Sequence, residues 1–202
     1  MSHDGPVLGM DTSGETCSAA LVLRGRILTE RNYEPTAGRA EELFPVLQDM
    51  LAMAGLVWKD VRTIGVVTGP GNFTGIRLAV ATARGLAMSL SIPATGINSF
   101  AAAAFAVPRP CLAVIGVTGS HLYAMRLPDG EPVSGDLDRL QTPERPIPVV
   151  GGEAAAAAAK KWKCEWRRPV CAPGAAAAKI AETAEPVTFA PPVPFFVRPP
   201  LT

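Results

Sequence analysis

Gly69-Pro70-Gly71-Asn72-Phe73-Thr74-Gly75 separates two stretches of different character. Before it, Ile64-Gly65-Val66-Val67-Thr68 is a short β-branched run, the pattern of a buried strand. After it, Ile76 to Leu90 is rich in Ala, Leu and Met and has no proline, which predicts a helix. Three glycines and a proline thus sit on a strand-to-helix crossing. Glycine there permits positive φ and lets another backbone come close. Asn72 or Thr74 can cap the helix. The helix start, with free N–H groups and a positive dipole end, suits an anion. The plain alternative is a tight turn with no ligand.

Working outward, Pro6 to Thr12, Cys17 to Leu23 and Ile27 to Tyr33 are apolar runs separated by Ser13-Gly14-Glu15 and Arg24-Gly25-Arg26. They predict a three-stranded meander with Asp11 and Thr12 at its first tip. Asp11 could position magnesium or water beside a phosphate held by the glycine loop; the alternative for Asp11 and Thr12 is turn chemistry through side-chain-to-backbone hydrogen bonds. From Arg39 to Ala54, Leu43, Leu47, Met50, Leu51 and Ala54 recur at helical spacing, with Phe44 beside them. Pro45 inside that pattern marks either the start of the regular helix or a bend.

The helix after the glycine loop carries two rows of small residues. One runs Gly75, Ala79, Ala83, Ala87, and the other Arg77, Ala81, Gly85, Ser89. Small residues four apart let a neighbouring helix approach closely. One row serves the helix's own sheet, and the second points to another neighbour, from this chain or a different one.

Ile92 to Ile97 reads as a strand, and Asn98 or Ser99 caps a helix to Ala106. Pro108-Arg109-Pro110 marks a lobe boundary, dividing 1–107 from 108–202. Cys111 to Val117 and His121 to Leu127 open a second strand series across Thr118-Gly119-Ser120. Pro128 to Pro148 reads as loop, Ile147 to Val150 as a short strand, and Glu153–Lys161 and Ala175–Ala184 as helices. In the tail from Pro191 to Pro200, Phe195, Phe196 and Val197 are expected to dock as an edge strand or clamp. The order predicts an α/β fold of two lobes, each a mixed β-sheet with flanking helices, the second truncated.

Composition narrows the function. The chain is 48% hydrophobic with net charge +1, so it is neither disordered nor polybasic. Cys17, Cys111, Cys164 and Cys171 lack C-x-x-C spacing and read as reduced packing thiols. No signal peptide or membrane span is expected, so the reading is a cytoplasmic protein. Two histidines in all, His3 and His121, leave no His-paired metal site and no base beside Ser13, Thr12 or Cys17.

Met10-Asp11-Thr12-Ser13, Glu42-Leu43-Phe44-Pro45 and Gly69 through Ile76-Arg77 together resemble the TsaB family, also called YeaZ. The likeness is close from about residue 7 to 117. It implies the actin-like, sugar-kinase-like ATPase fold. It also implies a non-catalytic, activating role in tRNA threonylcarbamoyladenosine synthesis, with a TsaD-like catalytic subunit and a TsaE-like ATPase as partners. In that family two N-lobe helices bundle with those of TsaD or, without it, of a second copy. Mapped here, the interface is Leu43, Phe44, Leu47, Met50 and Leu51 with Gly75, Arg77, Ala79, Ala83 and Ala87. tRNA is reached only through the complex. No cofactor is required, and any nucleotide binding at Asp11, Thr12, Gly69, Gly71, Asn72, Thr74 and Gly75 is weak or vestigial. The catalytic relative holds its metal with two histidines on the first helix; residues Ala37 to Pro45 contain none. The alternatives are an ATP-dependent phosphotransferase built on Asp11 and the glycine loop, or a homodimeric binding module.

Overall fold

The computed structural model describes residues 5–36, 38–117, 120–141, 143, 146–184 and 191–197. In the first of two sheets, β1 (Val7–Asp11), β2 (Cys17–Leu23) and β3 (Arg26–Tyr33) make the predicted antiparallel meander. β4 (Thr63–Val67) and β5 (Ala94–Ile97) add in parallel, giving the order β3-β2-β1-β4-β5. The second sheet repeats this plan. β6 (Cys111–Gly116), β7 (His121–Leu127) and β8 (Val133–Asp136) are antiparallel, and β9 (Val149–Val150) and β10 (Trp166–Arg167) run parallel beside β6. Its order, β10-β9-β6-β7-β8, is the first sheet's read from the other edge.

The helices follow the same repeat. α1 (Arg39–Met53) links β3 to β4, α2 (Phe73–Leu90) links β4 to β5, and α3 (Ser99–Ala103) follows β5. In the second half α4 (Glu153–Trp162) links β9 to β10, and α5 (Pro173–Thr183) follows. The β8–β9 connection has no helix among its described residues, where the first lobe carries α1.

Strand periodicity sets the layers of the first lobe. Leu8, Met10, Ile64 and Val66 face α1 and α2, in a core with Leu43, Leu47, Met50, Ile76, Ala79 and Ala83. Val7, Ala20, Val22 and Val67 face the other way, onto α5. The helices that end the two halves trade places. α5 packs on β1, β2 and β4 of the first sheet, and α3 packs on β6 of the second. A boundary near residue 108 therefore separates the sheets but not the helices.

α5 lies very close to its sheet because both surfaces are stripped of side chains. Ala175, Ala176, Ala177 and Ala178 are fully buried. A Cβ on Gly9 would sit 2.0 Å from the Gly174 carbonyl, and one on Gly65 2.3 Å from that of Ala177. The Ser18 hydroxyl accepts from Gly174 N at 2.8 Å, tying the helix start to β2.

Several expectations are corrected. The stretch from Pro128 to Pro148 is not all loop, since β8 lies in it. β10 is a two-residue strand with no pattern to announce it. α3 is capped by Asn98, whose Oδ1 accepts from Ala101 N at 2.7 Å, and ends at Ala103 rather than Ala106. α1 starts six residues before Pro45, so that proline marks no beginning; it leaves the Glu41 carbonyl without its helical donor. Residue 37, residues 118 and 119 and the tail beyond 197 lie outside the described residues. No helix among the described residues is long and apolar enough to cross a membrane.

Candidate functional site

The tip of β1 and the glycine loop fit together as one unit. Asp11 and Thr12 are buried at the end of β1. Asp11 Oδ1 accepts from Ser13 N at 2.8 Å, the turn chemistry named above as the alternative to a ligand role. Thr12 Oγ1 donates to the Gly75 carbonyl at 2.5 Å, and Asn72 N donates to the Ser13 carbonyl at 2.7 Å. Asn72 caps α2, its Oδ1 accepting from Gly75 N at 2.8 Å. Thr74, the other candidate cap, is exposed in the first turn.

Each glycine of the loop has a packing reason. A Cβ on Gly75 would lie 1.8 Å from the Thr12 carbonyl, and one on Gly71 2.6 Å from that of Ser13. Gly69, at φ +106, would meet the Phe195 carbonyl at 2.6 Å. The approaching backbones are the chain's own. Two of the loop's donors, Asn72 N and Gly75 N, bind the chain itself, so this tip is assembled by internal contacts.

The tail completes the unit. Phe195 N donates to the Thr68 carbonyl at 2.8 Å, and Phe196 packs on Phe73 with centroids 5.2 Å apart. Arg77 lies over Phe73 at 3.7 Å. Pro194 forms one wall of a groove of about 400 Å³ whose other lining is Arg77, Val80, Ala81, Arg84, Gly85 and Met88 of α2.

Electrostatics at the tip centre on Asp11. Burial raises its carboxyl above the usual aspartate range, against the opposing pull of Ser13 and the Arg39 guanidinium. Arg39 is anchored by donating from Nη2 to the carbonyls of Gly14 at 2.8 Å and Glu15 at 3.3 Å. A raised folded pKa means that the folded chain holds this proton more tightly than the unfolded chain. Ionised Asp11 therefore costs stability above the folded pKa, and the cost vanishes below the unfolded value of 3.8. Asp11→Asn keeps an oxygen for Ser13 N and removes the charge. Its urea midpoint is expected to exceed the wild type's at pH 7 and to converge with it in acid. A lower midpoint at pH 7 contradicts this account of the tip.

The residues expected to bind a partner fall into two groups. Leu43, Leu47, Met50 and Leu51 of α1, and Gly75, Ala79 and Ala83 of α2, are buried in the chain's own core. Ala87 is half-buried against it. These cannot be docking contacts, because the first sheet already covers them. Phe44, 46% exposed, and Arg77 are the ones that reach solvent. The other small row of α2 is the outward one. Ala81, Gly85 and Ser89 are exposed, with Phe73 and Met88 beside them at 52% and 81%. On the α1 side Phe44 stacks on Trp58 at 5.2 Å, and Met53 and Val57 are exposed. Arg84 and Met88 were missed. Their spacing from Arg77 and Ala81 was the available signal, since i, i+4 and i+7 positions share a helix face.

His121 stands on β7, edge-on to Tyr123 at 5.6 Å, with Nδ1 3.9 Å from Asp136. All four cysteines are free thiols. Among the described residues no three His, Cys, Asp or Glu side chains converge as metal ligands.

Comparison with known proteins agrees with this architecture. Residues 36–131 match the model of the family described as TsaD, tRNA N6-adenosine threonylcarbamoyltransferase. TsaB of Escherichia coli, a tRNA threonylcarbamoyladenosine biosynthesis protein, is 31% identical over 93 residues, 46% of this chain and 40% of its own. The match thus spans under half the length of that relative. An uncharacterized protein of Mycobacterium tuberculosis is 31% identical over 199 residues, 96% of this chain and 92% of its own. The structure of YeaZ from Pseudomonas aeruginosa superposes with a TM-score of 0.60 at 27% identity, covering 72% of this chain and 74% of that one. Component A of (R)-2-hydroxyglutaryl-CoA dehydratase from Acidaminococcus fermentans shares the fold alone: TM-score 0.58, 12% identity, 88% and 97% coverage. The architecture is the two-lobed, actin-like and sugar-kinase-like ATPase fold. The glycine loop, the Asp-Thr tip and these relatives agree: over just under half of its length the chain is similar to TsaB proteins, and its fold is that of YeaZ.

Proposed function

We propose that this chain acts in tRNA threonylcarbamoyladenosine biosynthesis as a non-catalytic subunit that docks a TsaD-like catalytic subunit through the outer face of α2. The observation that carries this reading is that face: Phe73, Ala81, Gly85 and Met88 are exposed on a helix whose other side is fully packed. Gly85 has nothing within 4 Å of where a Cβ would stand, which leaves room for a second backbone. Arg77 and Arg84 meet no carboxylate among the described residues and fit an acidic partner helix. Exposed apolar side chains gathered on one face of an otherwise packed helix point to an interaction site. In the absence of the catalytic subunit, the same face pairs two copies of this chain. A TsaE-like ATPase joins through the assembled complex. The internal packing of the glycine loop supports a subunit that needs no cofactor of its own.

Ala81→Glu and Gly85→Glu put a long anion on that face, opposing an acidic partner helix, without touching the core. Each is expected to abolish co-purification with the catalytic subunit, to leave the far-UV spectrum unchanged and not to lower the melting temperature. Sedimentation of the chain alone should lose any dimer in parallel. Undiminished complex formation by both variants overturns the placement of the interface. Ala83→Arg, on the buried row, is not a usable test, because it drives a charge into the core and unfolds the chain.

A further inference from the structure

A second surface lies at the far edge of the second sheet. The chain carries a net charge of only +1, yet Lys160, Lys161, Lys163, Arg167 and Arg168 fall within nine residues, opposed only by Glu165. This local charge of +4 is folded into a compact corner. Lys160 and Lys161 lie in the last turn of α4, and Lys163 takes the left-handed position that ends it. Arg167 closes β10, which pairs with β9 alone among the described residues.

Two of the five cations are neutralised locally. Lys161 Nζ donates to Asp138 Oδ1 at 2.7 Å, and Arg167 donates to both oxygens of Glu165 at 2.9 and 3.1 Å. Lys160, Lys163 and Arg168 are exposed and meet no carboxylate among the described residues. The helix dipole accounts for Lys160 and Lys161 at the end of α4 but not for Arg168, which lies beyond a different strand. Arg168 instead lies over the Trp166 ring, 5.1 Å from its centroid. The indole is held in place by Nε1 donating to the Gly151 carbonyl at 3.0 Å. A fixed indole and a planar guanidinium amid unpaired cations are what stacks a base and meets a phosphate.

We infer that this corner is a direct contact for RNA, touching the phosphate backbone and one unstacked base of the tRNA that the complex modifies. The inference rests on the tRNA reading above and adds to it a surface on the opposite lobe from the α2 face, so both can be engaged together. Three unpaired cations release few counterions, so the chain alone binds weakly, with Kd on the order of 10⁻⁵ M at about 50 mM salt. Docking to the catalytic subunit converts this into an intramolecular contact at high effective concentration, where weak binding suffices. A membrane surface or an acidic protein would use the charge but not the stacked pair.

The test is fluorescence anisotropy of a labelled, unmodified tRNA transcript titrated with the full chain at several salt concentrations. Lys163→Glu/Arg168→Glu is compared with Arg26→Glu/Lys59→Glu, an equal charge change at exposed positions of the first lobe. The corner variant is expected to bind at least tenfold more weakly than the wild type, with a shallower salt slope, and the control within about twofold. Arg168→Lys, which keeps charge but loses the plane, is expected to weaken binding about threefold. Equal loss in corner and control variants, no binding by the wild type, or tighter binding to phosphatidylserine vesicles than to tRNA overturns the proposal. Co-purification of the same variants with the catalytic subunit reads the docking face separately. A wild type that docks the catalytic subunit but does not bind tRNA sinks this surface alone, and absent wild-type docking sinks the functional reading.

Discussion

Gly75→Ala is expected to cost about 3 kcal/mol of folding stability, whereas Gly85→Ala, ten residues along the same helix, is expected to gain up to about 1 kcal/mol. The two substitutions add the same methyl group to the same kind of backbone. At Gly75 that carbon would stand 1.8 Å from the Thr12 carbonyl, which is backbone and has no rotamer to escape into. The start of α2 would have to move off the tip of β1, straining the Thr12 hydroxyl bond to the Gly75 carbonyl and the Asn72 cap. At Gly85 a Cβ meets nothing within 4 Å, so what changes is the entropy glycine adds to the unfolded chain. Urea titration of the two variants reads the difference directly. For a chain of this size a loss of 3 kcal/mol lowers the melting temperature by roughly 10 °C. A near-neutral Gly75→Ala would mean that the loop and tip are not in backbone contact.

The second large effect belongs to the seam between the lobes. Gly9→Ala and Gly65→Ala are each expected to destabilise by about 3 kcal/mol, and the double variant by clearly less than their sum. Both new methyl groups push on one object. Gly9 faces the Gly174 carbonyl and Ala178, and Gly65 faces the Ala177 carbonyl and Ala181, all on α5. Once α5 has been lifted from the sheet by one substitution, the second meets a gap already opened. Chemical denaturation of the two single variants and the double measures this coupling. Full additivity would show that the sheet yields locally at each site and that α5 does not act as a rigid body.

These contrasts show where sequence reading succeeded. The strand, the glycine turn and the helix after it follow from periodicity and propensity, because each signal is local to a dozen residues. Asn72 as a cap was legible for the same reason: its hydrogen bond spans three residues. The duplication of the two sheets was legible from element order. Phe195 and Phe196 as a docking clamp could be anticipated from two aromatics in a proline-rich tail, and they bind Thr68 and Phe73. β8, with the sequence Val133-Ser134-Gly135-Asp136, could not be read, since its hydrogen bonds are organised by β7 and not by its own residues. Gly75, Ala79 and Ala83 were expected at a partner interface and are buried instead, because two small rows on one helix are equivalent until a sheet covers one of them.

What the sequence alone determined is therefore the set of local commitments: which segments are strands or helices, where the chain must turn on glycine, and which family the motif resembles. Tertiary structure decided allegiance. It put α5 of the second half under the first sheet, turned Ala79 and Ala83 inward and Ala81 and Gly85 outward, and filled the glycine loop with the backbone of Thr12, Ser13 and Phe195. The physical reason is that alanine and glycine carry almost no directional information. A small residue says that something comes close, and only the assembled neighbours say what.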